Sequence, residues 1–137
     1  MTEFEPTLRE LLAAGHAARF RASGDSMYPA IRDGDYLHIV PCNAAELRRG
    51  DVVLAMTERG LTAHRVVGVE GAGGVVQVTT RGDNALHIDE PIAPPAILGR
   101  VERVESSAGI RQTPPESATI TRFAAVLVRR LRSRFQL

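Results

Sequence analysis

Between Arg19 and Glu105 the sequence is a series of short β-branched runs, each closed by glycine, aspartate or proline. YLHIV (Tyr36 to Val40), DVVLAM (Asp51 to Met56), LTAHRVVGVE (Leu61 to Glu70), VVQVTTR (Val75 to Arg81) and ILGRVERVE (Ile97 to Glu105) are the clearest, with Arg19 to Ser23 before them. Runs of this length and composition fit strands, and the breaks between them fit turns. TERGL (Thr57 to Leu61) and EGAGGV (Glu70 to Val75) supply the glycines that tight hairpins need. Gly34-Asp35, Gly50-Asp51 and Gly82-Asp83 recur as turn chemistry, and the two Arg-Gly-Asp tripeptides belong to that series rather than to cell adhesion. The expected core is therefore mainly β, a small antiparallel domain over residues 19–105.

The two ends read differently. Residues 1–18 form an N-terminal helical segment, with Pro6 and Thr7 at its entry, Leu8, Leu11 and Leu12 on one face and Gly15 as a stop. DEPIAPPAI (Asp89 to Ile97) carries three prolines and reads as an extended, irregular connection. Residues 106–117 (SSAGIRQTPPES) read as a linker, and residues 118–137 as a basic amphipathic helix. In that helix Ile120, Phe123, Ala124, Leu127, Val128, Leu131 and Phe135 make an apolar stripe beside Arg122, Arg129, Arg130, Arg132 and Arg134. Such a helix can lie on a membrane surface, dock on a partner protein or pack on its own domain.

A net charge of +1 leaves no overall basic field of the kind that draws a protein to nucleic acid, so that partner class is disfavoured. At 137 residues the chain has room for one domain and one site. No run approaches the roughly 20 apolar residues of a membrane span, and no export signal is legible. The expected location is cytoplasmic, peripheral at the membrane where the C-terminal helix lies on its surface. The single cysteine, Cys42, offers no intrachain disulfide and no zinc spacing.

SGDSMYPAIRDGDYLHI (Ser23 to Ile39) places Ser26 in turn chemistry just before a strand. A serine hydroxyl becomes a nucleophile only with a base in reach. All 17 basic residues are arginine, so a serine–lysine dyad within this chain is excluded and the histidines are the bases to consider. His64 lies in an otherwise apolar run, where an imidazole needs a hydrogen-bonding partner. His38 alternates with Leu37 and Ile39, and His16 falls in the helical segment. Downstream, TTRGDNALHIDEP contains Asp83 and Asp89, either of which can orient a histidine and stabilise its protonated form. His87 and Asp89 lack the further ligands a metal needs.

The ordered boxes SGDSMYPAIRDGD, RRGDVV, AHRVVGV and TRGDN with the following Asp89 resemble those of the signal peptidase I family, in the archaeal and endoplasmic-reticulum branch where histidine replaces the lysine base. The resemblance spans about Ala22 to Asp89. It implies a β-domain of the signal peptidase/LexA-like type, with Ser26 as nucleophile, His64 as general base and Asp83 or Asp89 as its partner. It further implies oxyanion and substrate-binding positions at Ser23, Gly24, Met27 and Pro29, no cofactor, and a peptide or precursor-protein substrate bound as an added strand. Small residues such as alanine are then expected near the cut.

Two departures stand out. Signal peptidases usually carry a serine two residues before the nucleophile, and here that position is Gly24, preceded by Ser23. No membrane anchor precedes Ser26, and the C-terminal helix is the element that could replace one. SGDSM is also close to the self-cleaving LexA-type domains, which use a lysine base; with no lysine, and no DNA-binding domain before Ala22, that function is set aside. The expected activity is a signal-peptidase-like serine endopeptidase, and the alternative is a non-catalytic peptide-binding module of the same fold.

Overall fold

The computed structural model describes residues 4–112, and the expected C-terminal helix and the end of the linker before it lie outside them. The chain opens with helix α1 (Phe4–Ala13). Leu8 and Leu12, one turn apart, are buried at 3% and 4% exposure, which is what an i, i+4 apolar pair on a short helix is for. The helix ends at Gly15, whose φ of 88° lets Gly15 N–H reach Leu12 O (3.0 Å) and His16 N–H reach Leu11 O (2.9 Å). That double closure satisfies the last carbonyls of the helix. His16 therefore lies just past the helix rather than within it.

Seven strands follow: β1 (Ala18–Arg21), β2 (Tyr36–Val40), β3 (Val52–Thr57), β4 (Gly60–Ala72), β5 (Val75–Arg81), β6 (Ile97–Ser106) and β7 (Gly109–Gln112). They form one antiparallel sheet in the order β1-β2-β6-β3-β4-β5, with β7 paired to β6. A 3₁₀ turn at Ala44–Glu46 covers one face, and a second, Pro94–Ala96, leads into β6. The fold is mainly antiparallel β, as the punctuated runs predict.

Strand β3 shows why the sheet is stable. VVLA has no polar alternation because both of its faces are covered. Val52 and Leu54 join Leu8, Leu12, Met27, Ile31, Leu37, Ile39, Val101 and Val104 in the larger apolar cluster. Val53 points the other way, into a smaller cluster with Leu47, Val66 and Val78 beneath the Ala44–Glu46 turn. The sheet is thus the middle layer of two cores.

On the face opposite the larger cluster, the β1-β2-β6 half carries charge instead. Arg19 bonds Glu105 (2.7 Å) and stacks over Tyr36 at 3.7 Å, and His38 lies half-buried 3.6 Å from Glu105. These residues are cross-strand neighbours, so the pairing follows from register.

One expectation changes. Residues 106–117 read as a linker, yet Gly109–Gln112 is a strand on β6. Ser106 faces Gly109 across the turn, and its hydroxyl accepts from Ala108 N–H (3.2 Å) and donates to Gly109 O (3.3 Å). Ser-Ser-Ala-Gly is hairpin chemistry as much as linker composition, and composition cannot tell the two apart. Among the described residues no helix is long and apolar enough to cross a membrane.

Candidate active site

Ser26 lies in the loop between β1 and β2, which is built as a compact unit. Its ends are joined by Ala22 N–H to Asp35 O and Gly34 N–H to Ala22 O, both 2.8 Å. Inside, Gly24 N–H donates to Asp33 Oδ1 (2.8 Å) and Ile31 N–H to Met27 O (2.9 Å). Met27 and Ile31 are buried at 3% each in the larger core, while Ser26 is exposed. The loop is anchored from below and presents its serine to solvent, as packed loops that carry function do.

A second loop, from Gly82 to Asp89 after β5, holds the first. Asn84 N–H donates to Ser26 O (2.9 Å) and Asn84 Nδ2 to Asp25 O (3.1 Å). Asp83 N–H reaches Met27 Sδ at 3.3 Å. The approach requires glycine at position 82. A methyl group there would sit 2.7 Å from the Ser26 carbonyl oxygen and 3.1 Å from His64 Nε2. The Ser26 backbone and the His64 ring therefore border the same small space.

His64 is on β4 and 6% exposed. Its Nδ1 lies 2.5 Å from Asp89 Oδ2. A carboxylate only accepts, so Nδ1 is the donor in this bond, and Nε2 lies on the Gly82 side. Thr80 Oγ1 donates to the same Asp89 oxygen (2.8 Å), and Asp89 N–H bonds Thr80 O (2.9 Å). Burial raises the proton affinity of Asp89. The hydrogen bond and charge of His64, with help from Thr80 and the more distant Arg59, outweigh it and hold the carboxyl below the ordinary aspartate range.

Asp83 is engaged elsewhere. Arg65 Nε and Nη2 each reach one of its oxygens at 2.8 Å, a two-pronged pair buried on both sides, and Arg65 Nη1 donates to Gly50 O. Of the two aspartates left open by the sequence, Asp89 is the one beside His64. Asp83 instead ties β4 to the turn that backs Ser26, because strand alternation sends Arg65 to the face opposite His64.

The remaining expected positions separate by burial. Ser23, Gly24 and Pro29 are exposed around Ser26, whereas Met27 faces the core. The Met27 side chain packs beneath the serine in that core, unlike the other expected substrate-binding positions, which are exposed. His87 is exposed, and among the described residues no three His, Cys, Asp or Glu side chains converge.

Sequence reasoning missed Arg65, Thr80 and Asn84, and read Gly82 only as a turn. The test that singled out His64, a polar residue inside an apolar strand, applies equally to Arg65 beside it. Nothing in VVQVTTR marks Thr80.

No curated protein matches the chain. A family model described as Peptidase S24-like matches residues 2–102, which takes in α1, both loops and all of His64, Asp83 and Asp89. With that match laid over a serine loop clamped against a histidine–aspartate pair, the chain belongs to the Peptidase S24-like family, and its function is protease-type or LexA-like.

Proposed function

We propose that this protein is a serine endopeptidase of the signal-peptidase-like type, with Ser26 as nucleophile, His64 as general base and Asp89 as the group that orients and charges-balances His64. One observation carries the reading: His64 is bonded through Nδ1 to Asp89, while its Nε2 and the Ser26 backbone border the same space over Gly82. In the reaction His64 Nε2 takes the Ser26 proton as Oγ attacks the scissile carbonyl. The imidazolium that forms is stabilised by Asp89 and then protonates the leaving amine. Water, deprotonated by His64 in turn, releases the acyl group and restores the serine.

The carbonyl oxygen needs donors as it gains charge. Gly24 N–H is already given to Asp33, so the Ser26 N–H is the backbone donor of this loop best placed for the task. Gly24 has no hydroxyl to add, and Ser23 is the nearest residue that does.

Substrate binding as an added strand is supported by the strand order. Among the described residues, β1 stands at one end of the sheet, and β5 pairs β4 only from Arg65 onward, so residues 60–64 have no strand partner on that side. Two free backbone edges thus lead to Ser26 and to His64, and an extended peptide can bond to them.

A fluorophosphonate probe tests this. Wild-type protein should be labelled at Ser26, mapped by mass spectrometry of the tryptic peptide, and Ser26→Ala should not. Failure of the wild type to label at Ser26 would sink the catalytic reading and leave the peptide-binding module.

A further inference from the structure

We propose that Thr80 is a positioning residue, whose hydroxyl keeps the Asp89 carboxylate turned onto His64. The proposal rests on the reading of His64 and Asp89 as base and partner, and it concerns a residue outside the expected Ser-His-Asp set.

Thr80 sits among valines where β4 and β5 pair. It is 2% exposed on β5, directly across from Val66 of β4, and two residues from Val78 on its own strand. Both valines are fully buried. His64 lies two residues before Val66 and so shares that face. In such a row valine would fill the same volume and suit a strand equally well. A hydroxyl buried among valines is unfavourable unless it is bonded. Here it is bonded, to Asp89 Oδ2 at 2.8 Å.

That oxygen is the one that faces His64 Nδ1. Two donors from adjacent strands therefore converge on a single carboxylate oxygen and define its direction. The backbone bond from Asp89 N–H to Thr80 O fixes the main chain but leaves the carboxylate free to rotate. Rotation has somewhere to go, because the Asp89 side chain is 27% exposed and Arg59 attracts it through space. Arg65 of β4 and Arg81 of β5 face each other across the strands on the opposite face, where the Asp83 carboxylate holds Arg65 and Arg81 Nη2 reaches Asp83 O. Thr80 supplies the second point that opposes the swing toward solvent and Arg59.

The test is Thr80→Val in the full chain, read in two ways. NMR titration of the His64 ring follows the pair directly and needs no activity. The fluorophosphonate labelling rate follows the serine. Without the hydroxyl, Asp89 spends part of its time off His64, so the protonated ring is less stabilised. The titration midpoint should fall by roughly half a pH unit, toward that of Asp89→Asn, and labelling should slow about three- to ten-fold. Thr80→Ser should restore both. A residue that only packs would move neither the midpoint nor its rescue by serine.

Thr80→Ala, which does not ask a methyl group to fit where the hydroxyl was, must give the same downward shift and serves if the valine variant folds poorly. An unchanged or raised midpoint in these variants means that Asp89 stays on His64 unaided, and overturns the proposal. If wild-type protein does not label at Ser26 but the midpoint still falls in Thr80→Val, the role of Thr80 stands and the protease reading fails.

Discussion

At the scale of single residues, two substitutions separate chemistry from support. Asp89→Asn keeps the size of the side chain but removes the charge that stabilises protonated His64. We expect labelling of Ser26 to slow by roughly 10²- to 10⁴-fold, with a thermal unfolding midpoint near that of wild type, as measured by circular dichroism. Gly82→Ala should slow it by about 100-fold for another reason. Its new methyl group would stand 2.7 Å from Ser26 O, so the serine loop must retreat from His64, and near-ångström misplacement is enough for such a loss. A Gly82→Ala enzyme that labels at the wild-type rate would show that the clamp does not set the geometry. Asp89 also makes a prediction about acid. Its carboxyl is held below the ordinary aspartate value of 3.8, so the stability it contributes is present above that pH and lost as pH falls through the lowered native value. Between pH 5 and pH 3, the window that brackets the carboxyl and lies below the ordinary imidazole range, the urea midpoint should drop more in wild type than in Asp89→Asn.

At the scale of elements, the important joint lies between β4 and the loop after β5. Arg65 and Asp83 are 6% and 4% exposed in their side chains and bonded through both carboxylate oxygens. Removing one partner of such a pair leaves a buried charge without its counterion. Asp83→Ala should therefore lower unfolding stability by about 3–5 kcal/mol, measured by urea denaturation. A loss below about 1 kcal/mol would show that Arg65 finds adequate compensation elsewhere. Asp89 differs in its partner: one aspartate is paired with a buried arginine and the other with a histidine ring, although both stood open as candidates in one stretch of sequence. Turn chemistry at Gly82-Asp83-Asn84 was legible, but its use as a clamp on a loop some 57 positions earlier was not. Nothing local to that tripeptide encodes its partner across the molecule.

At the scale of the whole molecule, a single sheet with cores on both faces connects the helix to the site. Leu12 of α1 and Met27 beneath Ser26 belong to the same apolar cluster. Leu12→Ala should cost about 2–5 kcal/mol and lower the urea midpoint in a single transition, followed in parallel by circular dichroism and by Ser26 labelling. Two separated transitions would show that the serine loop melts independently of the sheet. The strand order explains why they should coincide. β1 and β5 occupy opposite ends of the sheet, yet the loop after β1 and the loop after β5 meet at Ser26 and Gly82. The site exists only where the two ends of the sheet are brought together.

Local chemistry was therefore enough to identify the strands and the N-terminal helix and to single out Ser26 and His64 as candidates to pair, because periodicity, turn residues and the absence of lysine are properties of neighbouring residues or of composition. The last strand escaped because SSAG serves hairpins and linkers alike. Which aspartate meets His64, why position 82 must be glycine, where Met27 points and what Thr80 holds were decided by tertiary structure. Each depends on register between strands and on the approach of loops distant in sequence, and a contact between distant segments leaves no periodic trace in either one.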